Sequence, residues 1–161
     1  MFKVAIGQDS HRFDFDNPDK KLVLGGVVFE GPPLSGNSDA DVVLHALANA
    51  ISGITGVNIL GEIADKMCLK EGITDSSAYV KEALKYFSGD IYHVSFSIEC
   101  LKPKITPKIP AMKKSIANLL NINEGNIGIT ATTGEGLTDF GKGLGIQCFC
   151  ILTASVNNNI T

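Results

Sequence analysis

From Tyr92 to Cys100 apolar and polar residues alternate without a break, with Tyr92, Val94, Phe96, Ile98 and Cys100 set against His93, Ser95, Ser97 and Glu99. Neighbouring side chains on a strand point to opposite faces, so this run demands a sheet with one face buried and the other polar or paired. Ile146 to Val156 is a long apolar strand suited to the centre of such a sheet, and Asn126 to Thr132 reads as another. Phe2 to Gln8 and Lys21 to Phe29 read as two more, the second with a bend or bulge at Gly25-Gly26. Helical spacing takes over after Ser38, which opens S-D-A-D as a capping box with Asp41 in place of the usual Glu, followed by Val42, Leu44, His45, Leu47, Ala48 and Ile51. Asp75 or Ser76 can cap a second helix, AYVKEALKYF, that stops at Ser88-Gly89, and Ala111 to Leu120 has the spacing of a third. Three prolines between Lys102 and Pro110 exclude a regular central strand there. The glycines at 134, 136, 141, 143 and 145 precede a strand and not a helix, so they read as tight turns and support neither a Rossmann nor a P-loop assignment.

At 161 residues and 44% apolar, the chain suits one domain over 1–156, with NNNIT at 157–161 as a frayed, flexible tail. A net charge of −3 and a pI near 5.5 argue against a nucleic-acid binder. Cys68, Cys100, Cys148 and Cys150 lack CxxC spacing, so neither a zinc ribbon nor a disulfide framework is expected and a reduced compartment fits. No apolar stretch approaches about 18 residues, and no basic segment followed by an apolar one opens the chain. A soluble cytoplasmic protein without membrane partners is expected, or an organellar one if a transit peptide has been removed.

Asp9 and His11 stand two apart at the end of the opening apolar run, and His45 lies in the first predicted helix. Residues two apart on a strand project to the same side, so this carboxylate and imidazole can close on one ion with the helix-borne His45 as third ligand. Three protein ligands and one open position are the pattern of a catalytic zinc, although a single His beside a polar loop is more often a hydrogen-bonded surface residue.

Several blocks in order resemble the 2-C-methyl-D-erythritol 2,4-cyclodiphosphate synthases of the non-mevalonate isoprenoid pathway. GQDSHRF is similar to the family's D-x-H zinc motif, and NSDADVVLHA to its HSDGD-x-x-x-HA block. KPKITPKIPAM resembles its cytidine-side loop, and TATTGEGLTDFGKGLGI its T-T-x-E-x-L…G-x-G-x-G-I signature. The resemblance implies an α/β (α+β) fold with a four-stranded mixed sheet, helices packed on one face, and a homotrimer with active sites between neighbours. It implies a diphosphocytidyl substrate, 4-diphosphocytidyl-2-C-methyl-D-erythritol 2-phosphate, converted to the cyclic diphosphate with release of CMP.

It also implies roles. Asp9, His11 and His45 would hold Zn²⁺, Glu135 would help hold Mg²⁺ or Mn²⁺, and Thr133 would donate to the diphosphate. Cys100, Lys104, Ile105 and Thr106 with Ala131 and Thr132 would form the cytosine and ribose-phosphate pocket. Asn37 and Ser38 would lie beside the diphosphate, Glu62 and Ala64 near the ribose, and Lys142 near the trimer axis.

Some positions depart from the family pattern. Asn37 replaces a His, Glu62 an Asp, Ala64 a Gly, Lys142 an Arg and Leu144 a frequent Glu. The FPDTDP-type loop is missing, and Asp65, Lys66 or Thr74 are candidates to replace its contacts. Two alternatives therefore stand beside the synthase: a homologue that binds zinc and cytidine nucleotide without turnover, and a zinc phosphohydrolase.

Overall fold

The computed structural model describes residues 1–157, so the predicted tail lies, from Asn158 onward, outside the described residues. Four long strands form a mixed sheet in the order β1-β6-β4-β5, where β1 is Phe2–Arg12, β4 is Gly89–Glu99, β5 is Ile127–Thr132 and β6 is Gly145–Val156. β6 runs antiparallel to both β1 and β4, and β4 runs parallel to β5. The long apolar β6 is internal, as its composition requires. Among the described residues no helix is long and apolar enough to cross a membrane.

The alternation in β4 carries Val94, Phe96 and Ile98 into the core, but Tyr92 is 45% exposed. A bulge between Ile91 and His93 explains this, because one extra residue inverts the facing of everything before it. Lys21 to Phe29 is likewise not one bent strand. It forms a hairpin of β2 (Leu22–Leu24) and β3 (Val27–Phe29), turned at Gly25 and Gly26, both with positive φ (60° and 75°). Two successive left-handed residues close a two-residue turn that other side chains enter at a cost.

Helix α1 (Val42–Thr55) lies across β1 and β6 and is buried almost all round, since α3 (Ser76–Leu84) covers its outer side. Its cap is Asp41 and not Ser38: the Asp41 carboxylate accepts from Val43 N and Leu44 N, both at 3.1 Å. Ala40 at φ 55° separates the Ser38 turn from the helix, so the predicted box cannot close. Asp41 is fully buried and also accepts from Gly25 N (2.8 Å) and Gly26 N (2.7 Å), which ties the hairpin turn to the start of α1. Burial pushes its carboxyl up, to about 6, against these amide donors.

Helix α4 (Ile109–Leu120) starts earlier than the spacing predicts, with Pro110 in its first turn, where a missing N–H is harmless. Residues after Gly61 fold into α2 (Glu62–Asp65) followed by one turn of π-helix over Lys66–Lys70. Among the described residues the helices leave the opposite face of the sheet bare. Phe2, Val4, Ile6, Phe149 and Ile151 are 75, 68, 63, 40 and 46% exposed there, on the adjacent strands β1 and β6.

Candidate active site

Asp9, His11 and His45 converge. One ligand atom from each lies within 4.8 Å of the others. Asp9 Oδ2 sits 3.1 Å from His11 Nε2 and 2.9 Å from His45 Nδ1. β1 sets the first two on one side of the sheet, and α1 brings His45 over them from its first turn, with the two imidazole centroids 5.6 Å apart. This close approach depends on Gly7, because a Cβ added there would lie 2.0 Å from the Ala46 carbonyl oxygen.

Burial raises the Asp9 carboxyl, but hydrogen bonds and charge from His11 and His45 outweigh it and bring the pKa down from 3.8 to about 2. Two imidazoles and one carboxylate at this spacing are a donor set suited to a divalent ion of the zinc type. A carboxylate with a lowered folded pKa contributes stability above its unfolded value and loses it as the pH falls through its folded one. Metal-free Asp9→Asn is therefore expected to be about 2 kcal/mol less stable than wild type at about pH 6, with the gap closing towards about pH 2. Urea denaturation across that range measures this, and a gap that ignored pH would contradict it.

The other expected site residues fall into two groups. Asn37, Ser38 and Ala64 line the cavity of about 310 Å³ that contains the triad, together with Gly61, Asp65, Cys68 and Tyr79. Cys100, Lys104, Ile105, Thr106, Ala131, Thr132 and Thr133 line a second cavity, also about 310 Å³. Burial raises the Cys100 thiol to about 11, so it faces that cavity uncharged. Glu62 and Glu135 are exposed and line neither, and Lys142 lines a neighbouring apolar hollow with Lys104, Phe13 and Leu101. Glu135 follows Thr133 in a tight turn at φ 53°, held where Thr138 Oγ1 donates to Glu99 and Gly134 N to Thr132 Oγ1 (3.1 Å). Of the three replacements for the missing loop, only Asp65 reaches the triad cavity.

The register explains why the groups stay apart in one chain. Asp9 pairs with Cys148, Cys148 with Ile98 and Ile98 with Ala131, so ligand and second cavity occupy one row across the sheet. They lie on its opposite edge strands, three spacings or about 14 Å apart.

Spacing did not reveal Asp39 and Ser76. The Ser76 side chain reaches His45 Nε2 at 2.8 Å and donates to Asp39, and both contacts join segments more than 30 residues apart. No periodicity in the sequence signals such a link. Asp75 is the true cap of α3, which frees Ser76 to turn inward.

Residues 2–155 match the YgbB family. The chain belongs to the YgbB family. Two relatives from Chlamydia are similar to this YgbB-family chain over nearly its whole length, and both are named 2-C-methyl-D-erythritol 2,4-cyclodiphosphate synthase. That of Chlamydia caviae is 52% identical over 158 residues, covering 96% of this chain and 90% of the relative. That of Chlamydia trachomatis serovar A is 47% identical, covering 95% and 88%. Among solved structures the chain is similar to a CDP complex of IspF from Plasmodium falciparum (TM-score 0.80, 26% identity, 98% of this chain and 97% of that one). It is also similar to the bifunctional IspDF of Campylobacter jejuni (TM-score 0.87, 26% identity, 98% of this chain and 43% of that one).

Proposed function

We propose that this YgbB-family protein, as one unit over 1–156, converts 4-diphosphocytidyl-2-C-methyl-D-erythritol 2-phosphate to 2-C-methyl-D-erythritol 2,4-cyclodiphosphate in the cytoplasm and releases CMP. The observation that carries this reading is the convergence of Asp9, His11 and His45 in a chain about half identical to proteins bearing that name. In the reaction the substrate's 2-phosphate attacks its own β-phosphorus, forming one P–O bond as the bond to CMP breaks, and no water is consumed. Two anionic groups must be brought together and held in line, so positioning and charge stabilisation supply most of the rate.

Asp9, His11 and His45 would hold Zn²⁺, which as a Lewis acid orients and polarises the reacting phosphate. Glu135 would help hold Mg²⁺ or Mn²⁺, a hard cation that neutralises charge on the diphosphate. Thr133 donates a hydrogen bond to the diphosphate and Lys104 offers its ammonium to the nucleotide phosphate. Cys100, Ile105, Thr106, Ala131 and Thr132 enclose the cytosine and ribose. Ser38 and Asn37 face the diphosphate from the triad side, Glu62 and Ala64 contribute at its ribose end, and Lys142 adds positive charge near the axis.

A homotrimer completes this site. The 14 Å between half-sites in one chain is closed when the β1 edge of one copy meets the β5 edge of the next. The bare apolar face of Phe2, Val4, Ile6, Phe149 and Ile151 supports that assembly, because exposed patches of this kind mark interfaces.

Phosphorus NMR of the reaction tests the proposal, the expected result being CMP with a cyclic diphosphate. A linear product carrying ¹⁸O from water would identify a hydrolase instead, and tight CDP binding with no CMP release a binding homologue.

A further inference from the structure

We infer that Lys20 is a positioning residue, whose ammonium ties down the loop 36–38 and so fixes Asn37 and Ser38 at the edge of the triad cavity. This loop is a wall one chain thick: Gly36, Asn37 and Ser38 line the triad cavity on one side and a separate cavity of about 410 Å³ on the other. Among the described residues its main chain makes no hydrogen bond to another main-chain group. Two side chains hold it instead. Lys20 Nζ donates to Leu34 O at 2.7 Å and to Gly36 O at 3.0 Å, and Cys68 Sγ donates to Asn37 O at 3.2 Å. A thiol is a weak donor and an ammonium a strong one, so Lys20 is the main tie. The flanking residues are anchored independently, with Ser35 N donating to Arg12 O at 2.8 Å and Asp39 N to Thr74 O at 2.9 Å. Any slack is therefore confined to the three residues between them.

The loop also passes beside the triad, since a β-carbon on Gly36 would stand 3.4 Å from Cε1 of His11. Lys20 itself does not line the triad cavity. It is half-buried just before β2 and lines the far cavity with Asn17, Lys21 and Thr74, so it reaches the site through the loop alone. Bonds from one ammonium to carbonyls two residues apart fix both the place and the direction of the chain that leads into Asn37. Groups that meet a reacting phosphate act only in the right geometry, and a misplacement of about 1 Å costs about 100-fold in rate. This inference rests on the reading of Asn37 and Ser38 as residues that face the diphosphate, and its test separates the two.

Backbone ¹⁵N relaxation of wild type and of Lys20→Met, which keeps the apolar stem and removes the donors, reads the loop directly. Order parameters at Gly36 and Asn37 are expected to fall from about 0.85 to below about 0.6, with those of Ser35 and Asp39 unchanged. A loop as rigid as in wild type would overturn the inference. With Zn²⁺ supplied equally to both folded proteins, Lys20→Met is expected to release CMP with kcat lower by about 10- to 100-fold and KM within about threefold of wild type. A kcat within about threefold of wild type, or a loss confined to KM, would overturn it as well. Should wild type itself release no CMP, the proposed function fails, and the loop amides alone decide the inference. If Lys20→Met does not fold, ¹⁵N relaxation of the Lys20 ammonium in wild type decides: a restricted ammonium supports the inference, and one as free as that of the exposed Lys114 overturns it.

Discussion

His45→Ala is expected to empty the metal site and lower CMP release by about 1,000-fold or more, while the protein stays folded. The size follows from the role: metal assistance is worth several kcal/mol, and each 1.4 kcal/mol is about tenfold in rate. On the proposed reading, an ion held by three ligands would be left with two, too few to retain zinc at ordinary concentrations. His45 is only 8% exposed, so its loss also costs about 1–3 kcal/mol of stability through the cavity it leaves, which a stable domain tolerates. Elemental analysis, phosphorus NMR and a thermal melt of one preparation measure all three quantities. A folded variant without metal that still made the cyclic product at the wild-type rate would refute the proposed chemistry.

Asp41→Ala is expected to lower stability by about 4 kcal/mol. Loss of a helix cap accounts for about 1 kcal/mol, and leaving the Gly25 and Gly26 amides without an acceptor for about 1–2 kcal/mol each. The expected fall in melting temperature is about 12 °C for a protein of this size. Asp41→Asn keeps an acceptor for part of the set and should fall between the two. A loss below about 1 kcal/mol would mean that the hairpin turn is not held by this side chain.

The four strands of the main sheet and the three long helices could be read from the sequence because each carries its own periodicity, as in Tyr92–Cys100 and the run after Asp41. Features set by contacts between distant segments could not. The Tyr92 bulge answers to β6, the cap at Asp41 to the hairpin turn, and α2 with its π-turn to a segment whose apolar residues follow no clean period. The candidate site divides in the same way. Asp9, His11 and His45 were legible because their spacing on a strand and a helix predicts convergence, whereas Ser76 meets His45 and Asp39 meets Ser76 through contacts that no local pattern encodes.

Gly7 gives the site an unusual vulnerability. It has no side chain, yet it governs how near the imidazole on α1 can come to the carboxylate on β1, since any β-carbon would collide with the Ala46 carbonyl. Metal–ligand bonds tolerate deviations of only about 0.2 Å. There is no conservative replacement at this position, because the smallest methyl already levers the helix away by more than that margin. The spacing of the three candidate ligands is therefore calibrated by a hydrogen atom on a residue that is not one of them.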